Sequence, residues 1–179
     1  MQRASKSTPV APKEFGVSAA RAKRAARPPL QNKIDISVRR QRLVLKRGRK
    51  TVRTYSISTS RFGTGCEKGS FKTPLGRFRI GEKIGHGAAP GTIFKARVPL
   101  KPDEPLPKTE DLITSRILWL DGVNEANANT RERYIYIHGT KHEDRIGTPD
   151  SHGCIRMRNA DVIELFDLVE EGAPVFIRA

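Results

Sequence analysis

The residues predict a mainly β domain with one helix near the C-terminus. Three observations carry that expectation. Short stretches rich in Val, Ile, Leu, Phe and Tyr recur from residue 34 to 139, separated by loops dense in Gly, Thr, Pro and Asn. A single helical pattern follows, in which Val162, Ile163, Phe166 and Val169 make one apolar face. Hydrophobic residues are 36% of the 179-residue chain. That suffices for one core and leaves part of the chain outside it.

The part left outside is the N-terminus. Residues 1–33 are rich in Ala and Pro and carry Arg3, Lys6, Lys13, Arg21, Lys23, Arg24, Arg27 and Lys33 against Glu14 alone. Such a composition predicts a disordered basic arm, with the domain proper over 34–179. "IDISV", "QRLVLKR" and "TVRTYSIST" read as strands, the last two joined by a turn at 48–50. Further strands are expected over 76–85, 91–100, 115–122 and 133–139. Asn159 is placed to cap the helix, with Asp161 and Glu164 in its positive first turns. Gly172 suits the position just past its end and Pro174 follows, after which "APVFIRA" closes the domain as a strand. Trp119 and Phe166 belong to the core by their apolar settings, while His86 and residues 141–145 read as solvated loop.

The net charge of +15 favours anionic partners through long-range attraction. Nucleic acid, anionic lipid and an anionic wall polymer all fit charge alone. Nucleic acid is disfavoured because the strands lack an interleaved aromatic and basic pattern. No run approaches the roughly 20 apolar residues of a transmembrane segment. Arg or Lys interrupts every apolar run of the first thirty residues, so no signal peptide is visible and a cytoplasmic setting is expected. Cys66 and Cys154 lie too far apart to suggest a disulfide framework and read as free thiols. Oligomeric state has no signature in the chain.

Chemistry concentrates in HGT at 138–140 and SHGCIRM at 151–157. A thiol becomes a good nucleophile once a neighbouring base takes its proton, so Cys154 with His138 or His152 is a candidate acyl-transfer pair. Gly153 permits a tight turn that presents Cys154, and backbone N–H groups around both residues could face an oxyanion. Two other readings stay open. His138, His142, His152 and Cys154 are ligand types for a tetrahedral zinc, although the spacing fits no common zinc motif. Cys154 could also be a small buried hydrophobe, the natural reading for Cys66.

SHGCIRM after HGT, together with "RTYSISTS", "KTPLGRFRI", "GTIFKAR" and "RYIYIHGTKHEDRIG", resembles the YkuD-type L,D-transpeptidase catalytic domain family over roughly residues 36–178. The resemblance implies a β-sandwich-like domain acting on peptidoglycan stem peptides or muropeptides. It implies cleavage of the bond between the L-centre of the third-position diamino acid and terminal D-Ala. By matching motif, Cys154 is the nucleophile and His138 the general base and acid. His152 supports the site, and Gly153 lends backbone to the oxyanion hole. Ser151, Gly139, Thr140 and Arg156 are expected on the substrate side, with bracing of the turn as the alternative for Arg156. Thr73 and Pro74 belong to a family-like structural turn. No metal and no organic cofactor is called for. An amine acceptor would give a cross-link, and water would make the enzyme an L,D-carboxypeptidase. Such proteins are bacterial and usually periplasmic or envelope-bound. A cytoplasmic member would instead trim recycled tetrapeptides.

Overall fold

The computed structural model describes residues 31–109 and 111–179, so the expected basic arm lies outside the described residues except for positions 31–33. Strands β1 (Asn32–Ser37), β2 (Arg42–Arg47) and β3 (Lys50–Ser56) form an antiparallel meander. Their period-2 alternation sets the register. Ile34 pairs with Leu45 and Ile36 with Leu43, which buries all four, while Lys33, Asp35 and Ser37 face the other way. A slip of one residue would drive those polar groups inward, so the pairing is strongly specified. On its other edge β1 runs parallel to β10 (Pro174–Arg178), matching Ile34 to Val175 and Ile36 to Ile177.

The sheet continues through β4 (Gly76–Ile84) to β7 (Ile113–Gly122). β7 is the central strand. Thr114 pairs with Ile93 of β5 (Ile93–Lys95) and also with Gly139 of β8 (Tyr136–Gly139), so β5 and β8 lie on opposite edges of it. β5 turns into the short β6 (Val98–Pro99), and β8 pairs in parallel with β9 (Ile155–Met157). β9 then meets the chain that leaves β3. The Ser58 N–H donates to the Arg156 carbonyl at 2.9 Å, and the Arg156 N–H returns a bond of 2.8 Å to Ser58. The sheet therefore folds over until its ends meet, giving the two facing layers expected of a sandwich.

Between the layers sit Phe78, Ile80, Leu118, Leu120, Ile137, Ile155 and Met157, joined by Val162, Leu165 and Phe166 of α1 (Asn159–Leu168). Each such side chain taken out of water contributes about 1.5–3 kcal/mol. Trp119 and Phe166 are buried as expected.

Some expectations shift. The span 91–100 is two short strands, because Ala96 and Arg97 turn the chain between them. β8 begins at Tyr136 rather than 133. β9 was not anticipated, since three residues give too short a pattern to read. The helix cap is Arg158 rather than Asn159, and the helix ends at Leu168, beyond which Val169 is extended. Leu165 rather than Ile163 is buried on its inner face. Gly172, at φ +84°, serves the turn into β10 and donates its N–H to the Ile80 carbonyl at 2.7 Å.

Candidate active site

One irregularity in β7 shapes the site. The register with β8 shifts between Thr114 and Ile117, opposite Gly139 and His138, and Ser115 within the bulge has φ +62°. Bulges re-aim side chains where they occur, and this one lies beside His138. Gly139 is required there. A Cβ on it would fall 2.7 Å from the Thr114 carbonyl oxygen and 2.6 Å from Asn159 Oδ1. Asn159, freed from capping, locks the corner. Its Oδ1 accepts from Thr114 and Ser115 hydroxyls at 2.7 and 2.5 Å, and its Nδ2 donates to the Thr140 carbonyl and to Glu143. The Glu143 carboxylate also accepts the Asn159 N–H at 2.8 Å, so an anion from a loop holds the positive end of α1.

His138 is buried, and its Nδ1 lies 2.7 Å from the Gly139 carbonyl oxygen. A carbonyl can only accept, so Nδ1 carries the hydrogen and Nε2 keeps its lone pair. Burial lowers the His138 pKa, a nearby Asp111 carboxylate opposes it, and Arg156 adds to the lowering. The ring is neutral, with its basic nitrogen available.

Cys154 packs on the edge of the cluster of Phe94, Ile117, Trp119 and Tyr136. Its Sγ accepts the Tyr136 N–H at 3.4 Å and donates to the Tyr134 carbonyl at 3.3 Å. Tyr134 is held at φ +56°, a backbone strain that aims this carbonyl at the thiol. Protein crowds the sulfur although the residue as a whole keeps partial exposure. Burial pushes the thiol pKa up to about 12, against the Tyr136 N–H, while Asp111 raises it further. The resting pair is thus a neutral thiol and a neutral imidazole. Among the described residues no hydrogen bond joins them. A productive contact needs the thiol proton to leave Tyr134, as catalytic bonds often tighten only with substrate bound.

The turn presenting Cys154 is pinned from several sides. Gly153 adopts φ +121°, a region that favours glycine. Its carbonyl accepts from Thr73 Oγ1 at 3.0 Å, and its N–H donates to Ser151 Oγ at 3.2 Å. Ser151 Oγ in turn donates to the Cys154 carbonyl at 2.6 Å. The Gly153 N–H is therefore committed, whereas the Cys154 N–H has no partner among the described residues. Arg133 fastens the loop beneath, donating to the Gly65 and Lys72 carbonyls at 3.1 and 2.7 Å.

Residues expected on the substrate side lie deeper. Gly139, Thr140 and Ser151 are buried, and Arg156 is 2% exposed. The Arg156 guanidinium reaches Asp150 at 2.6 Å, and its Nε lies 2.7 Å from Asp111 Oδ1, an ion pair whose N–H is poorly aligned. Its fork is already occupied, which matches the bracing alternative. His152 sits among aromatic side chains. Its ring packs with Phe62 and Phe71 at 5.5 and 5.8 Å, and its Nε2 lies 2.8 Å from the Arg61 guanidinium. The four candidate zinc ligands do not converge. Among the described residues, no three His, Cys, Asp or Glu side chains form a group that could hold a metal ion. Cys66 and Cys154 are both free thiols.

Sequence reasoning missed Tyr134, Tyr136, Asp111, Asp150, Asn159 and Arg133. Only Asp150, beside the SHGC motif, gave a local signal. Arg133, Tyr134 and Tyr136 lie in the run that leads to His138, and Asn159 lies just past SHGCIRM, but their types carry no chemical signal there, and Asp111 arrives from the loop before β7.

A cavity of about 600 Å³ lies between β1, β2 and the end of β10, and none of the site residues named above lines it. Among the described residues no helix is long and apolar enough to cross a membrane.

Comparison with known proteins identifies the family. The profile of the YkuD L,D-transpeptidase catalytic domain matches residues 31–177. The candidate L,D-transpeptidase YkuD of Bacillus subtilis (strain 168) is 29% identical over 144 residues, covering 80% of this chain and 64% of that protein. This chain thus spans a little under two thirds of that relative's length. A second B. subtilis protein, the candidate L,D-transpeptidase YqjB, is 44% identical over 48 residues, 27% of each chain. In fold, the L,D-transpeptidase of Xylanimonas cellulosilytica (residues 123–326) superposes with a TM-score of 0.56 at 18% identity, covering 86% of this chain and 63% of that one. An L,D-transpeptidase from Mycobacterium smegmatis gives 0.55 at 18% identity, covering 83% and 59%. The chain belongs to the YkuD L,D-transpeptidase catalytic domain family, whose profile its residues 31–177 match.

Proposed function

We propose that this protein is a cysteine acyl-transferase that cleaves the bond between the L-centre and terminal D-Ala of peptidoglycan stem tetrapeptides and passes the acyl group to an amine. The observation that carries the reading is a partly buried thiol immediately before β9, next to the paired strand β8 that carries a buried histidine whose tautomer leaves Nε2 basic.

In the first step Cys154 Sγ bonds to the scissile carbonyl carbon as its proton passes to His138 Nε2. Because both groups start neutral, proton transfer accompanies attack, and the energy of a standing ion pair is not stored in the resting enzyme. The Cys154 N–H is the uncommitted donor for the oxyanion, and the Gly153 conformation aims it. His138 then gives the proton to the departing amine of D-Ala, the C–N bond breaks, and a thioester remains. An acceptor amine attacks next, loses its proton to His138, and restores the Cys154 thiol.

Arg156, Ser151, Thr140 and Gly139 act as positioning residues in this account, since their polar atoms are committed within the protein. His152 lines the rim with Phe62 and Phe71. The test is product analysis with a disaccharide-tetrapeptide donor, alone and with an acceptor stem. Cross-linked product or D-amino-acid exchange supports transpeptidation. Tripeptide as sole product makes the enzyme an L,D-carboxypeptidase. No release of D-Ala overturns both.

A further inference from the structure

Several guanidinium groups near Cys154 and its aromatic neighbours are engaged within the protein. Arg156 holds two carboxylates. Arg131 pairs with Asp121 at 2.9 Å and Glu82 at 3.3 Å. Arg133 donates to the Gly65 and Lys72 carbonyls, and Arg116 Nη1 donates to the Ala88 and Ser115 carbonyls. Arg97 differs. Among the described residues it makes no ion pair, and its one hydrogen bond is a 3.3 Å contact to the neutral Tyr136 hydroxyl.

Its position is nonetheless fixed. The guanidinium carbon lies 4.9 Å from the Trp119 ring centroid and 5.3 Å from that of Tyr134. Stacking on aromatic faces holds an arginine fork in orientation while leaving its N–H edge free. The backbone is strained to put it there. Ala96 and Arg97 both sit at positive φ, +50° and +69°, in a two-residue hairpin turn where Asn-Gly would be at ease. Strain of this kind at a non-glycine pair points to a use for the side chain. The aromatic seat adjoins the nucleophile, because Tyr136 N–H and the Tyr134 carbonyl are the two partners of Cys154 Sγ.

We propose that Arg97 is a specificity-determining residue that takes a free carboxylate of the donor stem. The inference rests on the function proposed above. Two carboxylates could supply the charge: the α-carboxylate of the departing terminal residue, or one on the side chain of the diamino acid. A fork presenting parallel N–H groups binds either bidentately.

The experiment compares wild type, Arg97→Gln and Arg97→Lys on three donor stems: unmodified, amidated at the terminal carboxyl, and amidated at the diamino-acid side chain. Turnover is read as kcat and KM separately. Binding of the same stems is measured by calorimetry in a Cys154→Ala background, which needs no chemistry. Losing a hydrogen bond to a charged group predicts an affinity about 10- to 100-fold weaker for Arg97→Gln on the unmodified stem. On the stem amidated at the recognised carboxyl, Arg97→Gln and wild type should be equal, and that stem names the source. Arg97→Lys should recover part of the loss. Equal losses on all three stems, or none, overturn the proposal. If stems bind in an Arg97-dependent way while wild type releases nothing, the reaction assignment falls and the carboxylate site stands.

Discussion

Replacing Arg156 by Gln should cost the fold about 3–5 kcal/mol, the usual penalty for breaking a buried ion pair from one side. The guanidinium is 2% exposed and the two carboxylates it holds are 14% and 18% exposed, so water screens none of the three well. At an effective dielectric of about 20, each pair attracts by about 4 kcal/mol. Desolvation of the three groups offsets much of that, but the offset remains when only the cation is removed. Asp111 would then lose the cation it is paired with near His138, and Asp150 would keep only the longer contact with Arg145, at 3.3 Å. For a domain of this size each kcal/mol moves the midpoint by about 2–4 °C, so Tm should fall by about 6–20 °C. Urea unfolding followed by the fluorescence of Trp119, the single tryptophan, measures it directly. The sign with pH is also fixed. Burial raises the Asp150 pKa, but hydrogen bonds from Arg156 and Arg145 outweigh it, and the group titrates below its ordinary value. That stabilisation is present above about pH 4 and disappears as the pH falls through the folded-state pKa. The gap between wild type and variant should therefore narrow in acid. A variant within about 1 kcal/mol of wild type at pH 7 would refute the reasoning.

Three further outcomes follow from the geometry. Alkylation of Cys154 by iodoacetamide should climb steadily with pH toward about 12, with no plateau near neutrality, because burial keeps the thiol protonated; mass spectrometry of the Cys154 peptide reads the rate. Burial lowers the His138 pKa, so the unfolded chain binds more protons and stability should fall as pH drops below about 6.5, a limb that His138→Gln should flatten in denaturant titrations. Ala96→Gly should stabilise by roughly 0.5–1 kcal/mol by relieving the left-handed strain in an exposed turn, with D-Ala release unchanged.

Strands with strict alternation were legible from sequence. Ile34, Ile36, Leu43 and Leu45 announce both their strand and their buried face, because burial on one side imposes period 2. The helix was legible in place but not in its ends. Asn159 carries an N-cap side chain, yet tertiary contacts with Thr114, Ser115 and Thr140 claim it, and local propensity loses to four hydrogen bonds from outside the helix. The strand expected over 91–100 breaks at Ala96-Arg97, where neither residue advertises a turn. In the site, Cys154, His138 and the glycine between His152 and Cys154 stand out by type and spacing. The aromatic seat of Arg97 does not, because Trp119, Tyr134 and Arg97 meet only once β7, β8 and the β5–β6 turn are assembled. Arg156 was visible as a functional type, and only its burial distinguishes a brace from a substrate contact.

Intact-mass measurement of the protein during incubation with a tetrapeptide donor addresses the central claim most directly. A transient mass increase equal to the donor minus D-Ala should appear, map to Cys154, and vanish in Cys154→Ala. In His138→Ala it should form far more slowly, by at least about 100-fold, the usual worth of a positioned general base. Release of D-Ala at the wild-type rate by Cys154→Ala, or an acyl adduct on any other residue, would contradict the account.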